Sequence, residues 1–184
     1  MFSMLLTFFG MSASNVFPAI ADDVLDGNAE TLGWLWSASG AGALVGALVV
    51  TPLLHDVRRV GLLAGGATIF AGGWLTFFSF CTWLPVSVMC LFLSGLAYPV
   101  IITTSVGMLQ VLGPTDMRGR LQSALLMVTF AIQPVAALAT GWSAALVGPT
   151  DAVRLNAVLM ITGATLLLGS GRSLREWRPD TRAG

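Results

Sequence analysis

The sequence predicts an all-α membrane protein that crosses the bilayer six times. Hydrophobic residues make up 55% of the 184 residues and charged residues only 10%, whereas soluble domains carry about 25% charged residues. Uncharged apolar runs recur along the chain, and charged residues are confined to the segments between them. These observations exclude a globular protein that is surrounded by water on all sides.

Six apolar runs are the candidate spans, because a helix needs about 20 apolar residues to cross the hydrocarbon core. None contains a charged residue, which at the bilayer centre would cost about 2.5–3.5 kcal/mol. The long uncharged stretch after Val60 is divided near Pro85, since proline suits the start of a new helix. The predicted spans are residues 1–21, 31–54, 60–81, 85–110, 121–147 and 155–171, followed by a basic tail over 172–184.

The first run has a competing interpretation as a secretory signal peptide. Ala19-Ile20-Ala21 has the small-x-small form of a cleavage site. However, no positive segment precedes the run, and Pro18 and Asn15 interrupt it. We therefore favour a first spanning helix.

Basic residues predict the orientation of the chain. Short cytoplasmic loops accumulate arginine, because positive segments resist translocation. Eight of the nine basic residues fall in every second connection or in the tail, with Arg154 as the exception, and this places both termini in the cytoplasm. The eight are Arg58, Arg59, Arg118, Arg120, Arg172, Arg175, Arg178 and Arg182; the other connections hold Asp22, Asp23, Asp26, Glu30 and Asp151.

Composition also limits the partners and cofactors. The net charge is zero and no basic cluster lies within the apolar runs, which argues against a nucleic-acid partner. Cys81 and Cys90 have no histidine nearby, so they indicate no metal site, and their spacing does not require a disulfide. We interpret both as small apolar fillers. No cofactor motif is present, and the lipid bilayer is the expected surrounding.

Polar residues within the spans must face a partner helix or a wet cavity, because lipid cannot satisfy them. Asn15 and Gln133 carry the greatest hydrogen-bonding demand, and packing and cavity lining are equally good interpretations for them. Aromatic residues such as Tyr98 can stack on a ligand or fill a helix interface. Five residues form our candidate substrate cavity: Ser12, Asn15, Tyr98, Thr103 and Gln133.

Two inner loops combine an acid with a pair of arginines. Asp56 precedes Arg58 and Arg59, and Asp116 precedes Arg118 and Arg120. These charges can also serve only to set the membrane topology, because exposed ion pairs contribute under about 1 kcal/mol to stability.

Several motifs resemble the major facilitator superfamily, most closely its drug and siderophore (enterobactin-type) exporters. The second loop resembles the loop between helices ten and eleven of these exporters, and the second span resembles their eighth helix. Gln133-Pro134 resembles their helix-eleven kink, with glutamine in place of the usual small residue. The motifs are Gln110-x-x-x-Pro114-x-x-x-Arg118-Gly119-Arg120-x-x-Ser123, Leu32-Gly33-Trp34-Leu35, and Ser39 to Ala43 followed by Gly46.

The resemblance implies the second half of a twelve-helix transporter, built as an inverted three-plus-three repeat. It implies a small amphipathic substrate, export by alternating access in a bacterial cytoplasmic (inner) membrane, and an N-terminal six-helix half or a second copy as partner. The first and fourth helices would line the cavity. Asp56, Arg58, Arg59, Asp116, Arg118 and Arg120 would form cytoplasmic gating loops. No span holds an acid or histidine to carry a coupling proton.

Two other interpretations stay open. A truncated or remnant half, with Met1 an internal codon of a longer frame, would insert without transporting. An intramembrane hydrolase is remote: Gly141-Trp142-Ser143 resembles a nucleophile spacing, but Ser143 needs a base. The single histidine, His55, is predicted about 30 Å away across the membrane, so we expect no enzyme.

Overall fold

The computed structural model describes residues 10, 14–23, 27–54, 60–112 and 117–170, with the backbone alone at 23, 60, 108–112, 118 and 170. Within these ranges every regular element is a helix, so the predicted all-α class is confirmed. Five of the described helices are long and apolar enough to cross a membrane. Much of the first predicted span, residues 1–21, lies outside the described residues.

Six helices follow one another in the described part of the chain. A short 3-10 turn, Ser14–Val16, leads into α1, and α2 continues through two further helical segments. The helices are α1 Phe17–Asp23, α2 Ala29–Val45 with its extension Gly46–Val50 and Thr51–Leu53, α3 Val60–Phe78, α4 Leu84–Leu112, α5 Arg118–Val147 and α6 Pro149–Ser170.

Local signals explain where α2 and α6 begin. The side-chain oxygen of Asn28 accepts from the backbone N–H groups of Glu30 and Thr31, at 2.9 and 3.3 Å, which satisfies donors that a helix start leaves free. The α6 helix begins at Pro149, directly after Gly148 with its φ of 93°. Proline suits the first helical position because it has no N–H to leave unsatisfied. The helix thus starts before the predicted span 155–171.

The C-terminal part of α2 departs from regular α-helix. Residues Gly46–Val50 form a π-helical segment, and Thr51 donates both its N–H and its hydroxyl (2.9 Å) to the carbonyl of Gly46. Pro52 accounts for this change, because it lacks an N–H and its ring crowds the carbonyl of Leu48. In one π-helical turn the hydrogen bonds run from residue i to residue i−5, and the helix continues past the proline.

The packing order places α4 at the centre. It packs against α2 on one side and α3 on the other, while α3 also packs against α6 and α5 attaches mainly to α6. Only 22% of the α2 span and 11% of the α5 span is buried, against 44% of α3 and 33% of α6. Helices three apart in sequence therefore share an environment, as expected for a three-plus-three repeat.

Arg154, the exception to the charge pattern, joins the start of α6 to the end of α3. Its guanidinium lies 4.1 Å from the centroid of the Phe80 ring and 2.7 Å from the carboxylate of Asp151. Its Nε donates to the hydroxyl of Ser79 at 3.4 Å. The α3–α4 and α5–α6 turns therefore lie at the same end of the bundle.

The α1–α2 connection lies at this end as well. The ring of Phe17 packs edge-on, at 5.7 Å between centroids, against both Phe78 at the end of α3 and Trp36 near the start of α2. We call this the acidic end, since Asp22 and Glu30 flank the α1–α2 connection and Asp151 follows the α5–α6 turn.

Candidate substrate cleft

A cleft lined by small and aromatic residues lies between α2 and α4. Ser39-Gly40 on α2 and Ser94-Gly95 on α4 line it from opposite sides. Ser94 donates its hydroxyl to the carbonyl of Ala71 at 3.3 Å, which also ties α4 to α3. The cleft encloses about 260 Å³.

Glycines let the two backbones meet below this cleft. A Cβ added to Gly42 would collide with the carbonyl of Phe92, and one added to Gly46 would collide with that of Leu96. From the opposite helix, a Cβ on Gly95 would lie 2.5 Å from the carbonyl of Ser39. Such close approach is how helices associate where lipid provides no hydrophobic drive. It brings the serines of α2 and α4 to one cleft.

Aromatic residues form the wall towards the acidic end. Phe17 is 3% exposed and fixed between Trp36 and Phe78, whereas Trp36 is 51% exposed. One aromatic face is therefore held rigidly, while the indole lies at the open side of the cleft.

The lining suits an uncharged or amphipathic molecule. Hydroxyl groups and the indole of Trp36 provide the side-chain polar contacts, and none of the described residues that line the cleft is charged. Ligand sites generally combine a mostly apolar wall with a few such polar groups, in volumes of about 300–1,000 Å³. The cleft falls just below that range and is open on one side. The described residues of the lining are Gly10, Ser14, Phe17, Trp36, Ser39, Gly40, Ala43, Leu75, Leu91, Ser94, Gly95 and Tyr98.

The five candidate cavity residues do not form one group. Tyr98 lines the cleft. Asn15 lies exposed on the turn before α1, Thr103 is exposed on α4, and Gln133 is half-buried on α5; none of these three lines the cleft. Ser12 lies outside the described residues.

The predicted gating loops are described only in part. Asp56, Arg58, Arg59 and Asp116 lie outside the described residues. Arg118 begins α5, with its backbone alone described, and Arg120 is exposed one turn into the same helix. The gating role therefore stays a prediction.

Sequence reasoning missed the serines of the cleft. It named Ser39 and Gly40 only within the motif that resembles the eighth helix of the exporters, and it named neither Trp36 nor Ser94 as a cavity residue. The available signal was the Ser-Gly pair that recurs on the second and fourth spans; of the two glycines, Gly95 is at a position of close backbone approach.

Two further candidates were considered among the described residues. A concavity of about 340 Å³ between α2, α3 and α4 is lined by apolar residues such as Phe70 and Leu96, so it has no polar side chain to orient a ligand. No group of three His, Cys, Asp or Glu residues in the described ranges is arranged to hold a metal. Ser143, the remote hydrolase candidate, donates its hydroxyl to the carbonyl of Thr140 at 2.9 Å.

These features define a class: a polytopic helical membrane protein with an uncharged cleft between two closely packed helices. Comparison with known families makes the class specific. The transmembrane secretion effector family, a group of major facilitator superfamily transporters, matches residues 3–182. The chain therefore belongs to this family of membrane transporters. No match was found among the curated proteins or among the solved structures.

Proposed function

We propose that this chain forms half of a secondary-active exporter of small amphipathic molecules, of the drug or siderophore type. The single observation that carries the proposal is the uncharged Ser-Gly cleft between α2 and α4, in a chain of a transporter family. Hydroxyl groups contact the polar part of such a molecule, and Phe17 and Trp36 contact its apolar part.

Alternating access requires a second wall, which we propose is an N-terminal six-helix half or a second copy of this chain. The exposed side of Trp36 and the low burial of α2 and α5 support this proposal. Gln133 supports it too, since it is a polar residue midway along the least buried of these spans. Rocking of the two halves about the cleft would then move the substrate.

We further propose that both termini lie in the cytoplasm of a bacterial cell, with the acidic end outside. Arg58, Arg59, Arg118 and Arg120 would then meet the partner half at the cytoplasmic end, with Asp56 and Asp116 beside them. Where the partner is an N-terminal half, we propose that this half carries the coupling group, since the predicted spans of this chain hold no acid or histidine.

A substitution that fills the cleft tests the proposed site. We expect Ser39→Leu to weaken binding of ethidium, a fluorescent amphipathic cation, by at least about tenfold, equivalent to about 1.4 kcal/mol. Binding is measured by fluorescence anisotropy with the chain in lipid nanodiscs. Ser37→Leu is the matched control: Ser37 is exposed on the same helix and points about 200° away around its axis. Equal loss in both variants, or in neither, would contradict the site.

Transport by the chain alone separates the partner hypotheses. Membrane vesicles that contain only this chain are compared with empty vesicles for ethidium and for a catecholate siderophore. A rate above that of empty vesicles indicates that two copies suffice. A rate equal to it, with binding intact, indicates a requirement for the N-terminal half or a remnant that binds without transporting.

A further inference from the structure

The fold brings the two cysteines of the chain together. Cys81 lies in the turn after α3, and Cys90 lies in the second turn of α4. Their sulfur atoms are 4.0 Å apart. Sequence spacing gave no reason to expect this, because the contact depends on how the α3–α4 hairpin closes.

The two thiols differ in their access to solvent and reagents. Cys81 is half-buried, and its thiol donates to the carbonyl of Phe77 at 3.3 Å. Cys90 is only 1% exposed. A reagent in solution therefore reaches Cys81 first, and Cys90 is positioned to react with whatever forms on Cys81.

The turn that carries Cys81 is well anchored. The backbone N–H of Cys81 donates to the carbonyl of Phe78 at 3.0 Å. Next to it, Phe80 lies beneath the guanidinium of Arg154. The Cys81 backbone is therefore fixed, and rotation of side chains must supply most of the movement that brings the sulfur atoms closer.

We propose that Cys81 and Cys90 form a redox dithiol, which a small disulfide oxidant converts to an intramolecular disulfide. The Cys81 thiolate attacks one sulfur of the oxidant, releases one thiolate and forms a mixed disulfide. The Cys90 thiolate then attacks the Cys81 sulfur and expels the second thiolate. Two protein thiols lose two electrons and two protons, and the oxidant disulfide becomes two thiols.

Geometry and location both favour this reaction. The sulfur atoms must approach from 4.0 Å to the bonding distance of about 2.05 Å. The turn lies at the acidic end, which we propose faces outside, where the environment favours disulfides. The cellular redox state rests on that proposed orientation, but the exchange in purified protein does not. Oxidation would fix the outer part of α4 to the end of α3, next to the cleft residue Leu91.

Oxidised glutathione is the probe that tests the proposal. The full chain, reduced and purified in detergent, is treated with it, quenched with acid, alkylated with N-ethylmaleimide under denaturing conditions and analysed by intact mass. We expect the wild type to lose two hydrogens, to take up no maleimide and to retain no glutathione. Dithiothreitol should restore both alkylatable thiols.

The single variants are the matched controls. Cys90→Ala should retain one glutathione on Cys81, and Cys81→Ala should show one free thiol that maleimide labels. Cys90→Ser serves if the alanine variant does not fold, as judged by circular dichroism. The proposal is overturned if the wild type retains glutathione as Cys90→Ala does, or if Cys81 does not react in either protein. Both results would leave the proposed transport function untouched.

Discussion

Gly42 and Gly46 determine how closely α2 approaches α4. Each faces a backbone carbonyl of α4 that leaves no room for a methyl group, and backbone cannot move aside as a flexible side chain can. Gly33 lies on the same helix with nothing within 4 Å of an added Cβ. The helix therefore contains its own comparison between a glycine required by packing and one that is not.

We expect Gly42→Ala to lower the free energy of unfolding by about 1–3 kcal/mol, the usual cost of overpacking. The measurement is unfolding in detergent with increasing dodecyl sulfate, followed by circular dichroism. Gly33→Ala is the control and should be neutral or stabilising by up to about 1 kcal/mol, since alanine favours helix. An equal effect of the two substitutions would show that close approach at Gly42 is unimportant.

Arg154 shows what the sequence leaves undetermined at the residue scale. The distribution of basic residues identified Arg154 as the one arginine in a connection that is predicted to lie outside. Among its neighbours along the chain, only Asp151 offers a partner for its charge. The ring of Phe80 and the hydroxyl of Ser79 come from the turn after α3, far away in the sequence. The same limit applies to Ser39, Ser94 and the cysteine pair, because a pairing across helices depends on the rotation of each helix about its axis.

At the scale of elements, α5 is the least secured helix. Only 11% of its span is buried and its main neighbour is α6. A buried hydrogen bond joins these two helices, from the side-chain nitrogen of Asn156 to the hydroxyl of Thr140, at 3.0 Å. Because little of α5 is buried, we expect this bond to contribute measurably to its attachment.

We expect a double-mutant cycle with Asn156→Val and Thr140→Val to give a coupling of about 0.6 kcal/mol, and no more than about 1.7 kcal/mol, as found for hydrogen bonds between membrane helices. The measurement is again unfolding by dodecyl sulfate. Thr162→Val is the control, because the Thr162 hydroxyl donates within its own helix to Val158, at 2.8 Å. A coupling of zero would indicate that the Asn156–Thr140 hydrogen bond does not contribute to the attachment of α5.

Helices were the most predictable elements, since length and hydropathy depend on the local sequence alone. Pro85 and Gly148-Pro149 lie at breaks between helices, as local chemistry requires. The π-helical segment before Pro52 was not foreseen, although proline offered the signal. In an apolar run every turn has similar hydropathy, so composition does not reveal a change in hydrogen-bond register.

At the scale of the whole molecule, the described bundle has a mostly apolar cleft that is open on one side, and two of its spans, α2 and α5, are poorly buried. Membership of a transporter family explains the cleft, and the proposed partner explains the open side. The residues first chosen for the cavity were polar residues within spans, and only Tyr98 lines the described cleft. The polarity of a residue alone does not determine whether its face of the helix points into the cleft.

The proposed arrangement in the membrane rests on the alternation of charge between the two ends of the bundle. Contacts of Arg154 and Phe17 place three connections at the acidic end, whereas Arg120 follows the opposite connection. If the acidic end is outside, export proceeds towards it and the cysteine pair faces an oxidising compartment.

Labelling of single cysteines with a membrane-impermeant maleimide in intact cells tests the proposed orientation of the chain most directly. Reporters replace the exposed residues Glu30, Thr82 and Arg120, one at a time, in a chain with Cys81→Ala and Cys90→Ala. The account predicts that Glu30→Cys and Thr82→Cys react in intact cells, whereas Arg120→Cys reacts only after permeabilisation. Reaction of Arg120→Cys together with Glu30→Cys in intact cells would contradict the alternating topology and, with it, the proposed exporter.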